Sequence, residues 1–282
     1  MKGAQIIIIS YCVISAKGGK MKINTYLKYM GAVLAVCGAI WAYADKAQGH
    51  YQSRMVEKLP AFHAINVQGD FDVDFMQHPT ATAHVSGPEK SVQTVSLSVK
   101  DGVLNIGFVR GSVPAKADKL RVMLTGPALH EVTVSGKGDV HIRGKLQTQD
   151  LSVTLTQEGD FSADGLTVKE LHIHAAGKSE ADINRLDAHH VQAVVDDHAE
   201  IELAGLALSA DLQNHGTGEI DAADMRVQMA RATVNGKGTI SVSAYEKLHA
   251  AVLGKGKIKY RGSPVSLERD GNLKHIVQDL DD

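Results

Sequence analysis

Five acidic residues recur at nearly even distances along the second half of the chain: Asp139, Asp160, Glu180, Glu200 and Glu219. If the chain coils with that period they stack into one exposed column, and neighbouring carboxylates repel unless something offsets them. A row of calcium sites is one answer, as in the Gly-rich nonapeptide repeats of calcium-binding β-rolls. That motif returns every nine residues with paired acids, whereas here one acid comes in about twenty. The residues two places earlier are Lys137, Glu158, Lys178, His198, Thr217 and Lys237, a largely basic or neutral column. The spacing therefore reads as a solvated ladder compensated by its neighbour.

Histidine is the second candidate chemistry, with 14 in the chain. His172 and His174 lie two apart, so on a strand both point the same way. His189-His190 and Asp196-Asp197-His198 follow. Zinc takes three or four ligands converging tetrahedrally at ~2.0–2.3 Å, and a flat sheet face spreads side chains apart, so these histidines read as exposed polar residues. Asp196 and Asp197 have the chemistry of β-helical polysaccharide lyases and hydrolases. A glycosidase, however, sets two carboxyls across a cleft, and no long insertion is present to build one. Gly-Lys-Gly at 136–138, 236–238 and 254–256 could suggest a phosphate loop. No helix follows any copy, and no Lys-Ser/Thr pair completes the motif. No catalytic residue, metal or cofactor is expected.

The elements that carry these residues are set by a repeat. Anchored on the small residue before each acid (Gly138, Gly159, Ser179, Ala199, Gly218, Gly238, Gly256), the spacings are 21, 20, 20, 19, 20 and 18 residues. A period in that range marks a solenoid, in which each repeat buries its apolar side only by stacking on its neighbours. Within each repeat, apolar residues alternate at period two, which is strand and not helix. Two and four places after the anchor stand Val140/Ile142, Phe161/Ala163, Ala181/Ile183, Ile201/Leu203, Ile220/Ala222, Ile240/Val242 and Ile258/Tyr260. A second pair precedes the anchor (Val132/Val134 through Ala250/Val252). A third follows as Leu166/Val168, Leu186/Ala188, Leu206/Leu208 and Met225/Val227. Three short strands per turn predict an all-β, single-stranded parallel β-helix with rungs over residues 129–265. Its corners fall at Gly136, Gly138, Gly159, Gly177, Gly216, Gly218, Gly236, Gly238, Gly254 and Gly256, where glycine tolerates positive φ.

Residues 60–128 are expected to form a β-rich N-terminal cap, with strands near 62–67, 71–76, 81–86, 95–100, 103–108 and 120–124. Asp101-Gly102 between two of them is a hairpin signal. Gly262-Ser263-Pro264 is expected to break the ladder, leaving 266–282 as a polar tail over the last turn.

The chain's beginning bounds the compartment. From Met21, a basic start, an apolar run from Tyr29 to Trp41 and Ala42-Tyr43-Ala44 describe a secretory signal peptide over 21–44, cut near Ala44. The run is too short for a membrane span. Residues 1–20 read as an extension upstream of the true start, and 45–59 as a linker. Cys37 raises a lipoprotein alternative, which Val36 disfavours. All five charges before Asp45 are lysines, so 25 of the 30 basic residues remain against 32 acidic ones, a net charge of −7. Such a domain, without a basic stripe, is not a nucleic-acid binder. Both cysteines and the single Trp leave with the leader; Tyr51, Tyr245, Tyr260 and five Phe remain.

Several phrases then carry a resemblance. They are Phe62-His-Ala-Ile-Asn-Val-Gln-Gly-Asp-Phe-Asp-Val73, Lys100-Asp-Gly-Val-Leu-Asn-Ile106, the serial Gly-x-Gly-Asp rungs, and Leu248-His-Ala-Ala-Val-Leu-Gly-Lys-Gly-Lys-Ile-Lys-Tyr-Arg-Gly-Ser-Pro264. In their order they resemble the auto-transporter adhesin head GIN domain family of bacterial exported proteins, over roughly residues 60–265. The resemblance implies an exported β-helical protein without known catalytic residues. This copy replaces the usual Ser-Gly-Ser-Gly-Asp rungs with Lys, Glu and His, lacks glycine at Ala199, and carries no translocator barrel. Two functions follow as expectations. One is a non-enzymatic envelope protein, periplasmic or on the cell surface, that presents flat repeat faces to a protein or glycan partner. The other is a β-helical carbohydrate-active enzyme on acidic glycan. End-to-end self-association through the terminal rungs is a third possibility.

Overall fold

The computed structural model describes residues 51–56, 59–112 and 120–279, all within one compact unit, Tyr51–Asp282. The expected extension 1–20 and leader 21–44, with Cys37, lie outside the described residues. The strands are β1 (Tyr51–Val56), β2 (Ala64–Gln68), β3 (Phe71–Gln77), β4 (Thr82–Pro88), β5 (Val95–Lys100), β6 (Val103–Phe108) and β7 (Leu120–Gly126). Then come β8 (Glu131–Gly136), β9 (Asp139–Ile142), β10 (Leu146–Gln147), β11 (Asp150–Gln157), β12 (Asp160–Ala163) and β13 (Leu166–Ala175). The last are β14 (Glu180–Val195), β15 (Glu200–Asn214), β16 (Glu219–Val234), β17 (Thr239–Val252), β18 (Lys257–Arg261), β19 (Ser266–Gly271) and β20 (Ile276–Gln278). One short helix, α1 (Glu89–Val92), lies between β4 and β5.

From β8 onward the strands coil into a parallel β-solenoid of about seven turns. Successive rungs pair in register at 18–21-residue offsets, as in Asp139↔Asp160, Leu166↔Leu186, Ile201↔Ile220 and Ile240↔Ile258. Each turn has three sides. One side runs through β9, β12 and the beginnings of β14 to β17. A second runs through β10 and the middles of those strands. The third runs through β8, β11 and their ends. The alternating residues fill one continuous core, with Val140, Phe161, Ile183, Leu203, Ile220 and Ile258 at most 2% exposed. Helices are not needed on the faces of this parallel sheet because the coil wraps its own core.

The cap is not stacked in chain order. The layer β2/β3 lies between two others: Ala64 pairs with both Val103 and Glu131, and Asp72 with both Arg121 and Asp139. Thus β6/β7 form an outer parallel layer, and antiparallel β5, β4 and β1 close the end around it. The β5–β6 hairpin turns at Asp101 (φ 52°) and Gly102 (φ 78°), the left-handed pair that a two-residue Asp-Gly turn requires. The stretch expected to be a linker contributes β1, which pairs with β4 along its whole length.

Pairing also continues past Gly262-Ser263-Pro264, where a break was expected. β19 stacks on Lys247–Val252 and β20 on Ile258–Tyr260. Pro264 sits in the corner and interrupts no ladder. The strand beyond it is polar because it is the last layer and has solvent on its outer side.

One expected core pair is wrong. Leu206 and Leu208 are 56% and 50% exposed, and Gly205 and Ala207 face inward instead. The register between β14 and β15 shifts at this corner: Ile183 pairs with Leu203, but Leu186 pairs with Gly205. β15 is one residue shorter here than both neighbours, and in a strand of period two a single missing residue exchanges inside for outside. Gly205 (φ 139°) makes this possible, because a Cβ there would run into the backbone of Leu186.

Candidate functional site

The acidic side is the first candidate. Asp139, Asp160, Glu180, Glu200 and Glu219 lie on adjacent rungs, and the column begins one layer earlier with Asp72. It is closed by Arg121 at one end and by Thr239 and Lys257 at the other. A parallel second ladder, absent from the sequence reading, runs through Asp74, His141, Ser162, Asp182, Glu202 and Asp221 to Ser241 and Lys259. Strand spacing of ~4.8 Å leaves these carboxylates in mutual contact range. Partial burial pushes the Glu180 carboxyl up, and Asp160, Glu200, Asp182 and Glu202 push it further. Glu202 is raised by burial and by Asp182, Asp221 and Asp224, and Asp160 by burial, against the backbone N–H it accepts from Glu180.

The basic column beside it is engaged with its own acidic member at its start. Lys137 pairs with Glu158, whose carboxyl is lowered first by Lys137 and then also by Lys178. These charges compensate one another.

Several of the expected histidines are hydrogen-bonded to polar side chains of neighbouring rungs. His172 hydrogen-bonds Gln192 (2.9 Å), and His174 and His215 share Asp196 at 2.8 and 3.1 Å. Among the described residues no three His, Cys, Asp or Glu side chains converge to hold a metal ion. Of the ten corner glycines, only Gly136 (φ 122°) and Gly177 (φ 83°) adopt the left-handed backbone. At Gly216, Gly218, Gly236, Gly238, Gly254 and Gly256, an added Cβ would fall on a carbonyl of the preceding rung, as with Ala199 for Gly218. There the requirement is close stacking of corners.

The second candidate lies on the side containing β10. Its outward columns are Gln147, Thr167, Asp187, Leu206, Arg226 and, beside them, Lys169, His189, Leu208 and Tyr245. A concavity of about 420 Å³ spans its first rungs, bordered by Gln77 and Pro127, and one of about 380 Å³ spans the later rungs. Both are lined by Asp187 and His189, so the two adjoin along this side, together called the trough. Tyr245 is 42% exposed, with the Arg226 guanidinium 5.5 Å from its ring centre. The other described aromatic side chains are turned in: Phe62, Phe71, Phe75, Phe161 and Tyr260 are buried, and Phe108 stacks on Phe71. The signal for this site was the 19-residue spacing, which marks the shortened turn.

The family described as "Putative auto-transporter adhesin, head GIN domain" matches residues 61–264. The chain belongs to this family. Solved structures share the fold: adhesins, named as putative, from Parabacteroides merdae (22% identity, TM-score 0.74) and Parabacteroides distasonis (24%, 0.76). A P. distasonis protein named as a putative lipid binding protein is also similar (20%, 0.72). In each case the likeness covers 82% of this chain and 97% of the other. At these identities it establishes the solenoid and nothing finer. No curated protein matches the chain. Among the described residues no helix is long and apolar enough to cross a membrane.

Proposed function

We propose that the protein is an exported, non-enzymatic binding protein of the bacterial envelope, which holds an external partner against the sides of its solenoid. The observation that carries this reading is that the exposed Leu206, Leu208 and Tyr245 line one concavity together with Asp187, His189 and Arg226. Clustered exposed apolar groups rimmed by polar ones mark interaction surfaces. Membership in a family named for adhesins supports it, as does the leader pattern before Asp45. Catalysis on glycans has less support: Asp187 is the single carboxylate lining the trough, where the usual hydrolysis takes two. The test is mass spectrometry of the protein recovered from fractionated cells. A chain beginning at Asp45 in the envelope fraction is expected, and an unprocessed chain in the cytoplasm would overturn the reading.

A further inference from the structure

We infer that the trough on the β10 side binds a linear oligosaccharide, one sugar unit per rung; the inference rests on the binding role proposed above and names its ligand. Three observations converge on it. The first is the composition of the lining. Sugars present apolar C–H faces and, around them, hydroxyls that both donate and accept. A site for them needs apolar or aromatic surface beside unpaired polar groups. The trough supplies Leu206, Leu208 and Tyr245 for the first, and Thr167, Lys169, Asp187, His189 and Arg226 for the second.

The second observation is that these polar groups are idle within the protein. On the adjoining sides several charged side chains are engaged rung to rung: Arg143 with Asp74, Lys247 with Glu268, His249 with Asp270, His174 and His215 with Asp196. The side chains of Lys169, Asp187 and His189 make no hydrogen bond or ion pair among the described residues, and Arg226 only covers the Tyr245 ring. A guanidinium over an aromatic face keeps its N–H donors for other partners.

The third is dimension. From the Gln147 rung to the Tyr245 rung the trough crosses five strand spacings, about 24 Å. The spacing itself is about the length of one pyranose unit in an extended chain. A linear glycan lying along the rod axis would meet outward side chains of a new rung at every unit. An acyl chain would use the leucines and leave the cations, Asp187 and the amides of Gln147 and Gln149 unmatched. A long polyanion would have to lie over Asp187.

The test is a titration of the purified protein with linear tetramers to octamers of β-linked glucose, xylose and N-acetylglucosamine. Calorimetry and tyrosine fluorescence give the readout, together with the variants Tyr245→Ala and Leu206→Ser and the distant control Lys259→Ala. We expect at least one series to bind, with affinity rising with length and levelling off at about six units, one for each rung from Gln147 to Tyr245. Tyr245→Ala should weaken binding about tenfold with the melting curve unchanged, and Lys259→Ala should leave it alone. Absence of binding across the panel overturns the inference, as does binding indifferent to both trough variants. So does a trough that instead takes up phosphatidylcholine vesicles through the same side chains. A protein found in the envelope but blind to these glycans sinks only this inference, whereas a cytoplasmic chain sinks the binding role beneath it.

Discussion

Glu180 sits between Asp160 and Glu200 on its own column and beside Asp182 and Glu202 on the next, and no cation offsets it. Its carboxyl is raised, so the folded protein holds that proton more tightly than the unfolded chain does. A raised carboxylate therefore subtracts stability once ionised, and stability falls as pH rises from the ordinary value of 4.5 through the folded value. Glu180→Gln should accordingly stabilise the protein at neutral pH by roughly 0.5 kcal/mol, the size of a relieved like-charge pair in a sheet. The gain should vanish at about pH 4, where wild-type Glu180 is protonated too. Urea unfolding midpoints at the two pH values check this, and an equal gain at both would place the effect outside electrostatics. The first acid column was legible in the sequence because its members follow the anchors. The second was not, because His141 and Ser162 stand where Asp182, Glu202 and Asp221 stand later.

At the scale of elements, the apolar pairs around the anchors were readable wherever the rung length held: Ile201 and Leu203 are buried as expected, one corner before Leu206 and Leu208 are not. Counting from the anchor treats every rung as the same ruler, and it fails where β15 drops a residue. Gly205 was the visible mark of that corner, since a glycine inside a strand signals a bulge or a close backbone approach. The inverted register makes a contrast that can be measured. Leu206→Ser and Leu208→Ser should change stability by no more than about 0.5 kcal/mol, as exposed substitutions do. Leu203→Ala, on the same strand and fully buried, should cost about 2–5 kcal/mol. A comparable loss from Leu206→Ser in denaturant unfolding would mean the leucine faces the core. The cap order was also hidden. Periodicity identifies strands, but it does not say that β2/β3 are enclosed between a layer formed later in the chain and the first rung.

For the whole molecule, the ends decide how such a rod behaves. At one end β5, β4 and β1 cover the outer layers with antiparallel strands. At the other, Glu268, Arg269 and Asp270 stand exposed on the last long strand. Charged edge strands of this kind discourage stacking of one rod on another, which leaves the sides as the surfaces for contact. Of these, the acidic side repels anionic partners, the side through β8 and β11 pairs His174, His215 and His249 with its own carboxylates, and the trough side offers unpaired polar groups beside exposed apolar ones. We propose on this basis that the sides of the solenoid meet a partner outside the cell. The most direct measurement is labelling of surface lysines, Lys257 and Lys259 among them, on intact bacteria with a membrane-impermeant amine reagent, followed by mass spectrometry of the recovered protein. The account predicts labelling on intact cells. Labelling that occurs only after the envelope is opened would contradict it and confine the protein's partners to the interior of the envelope.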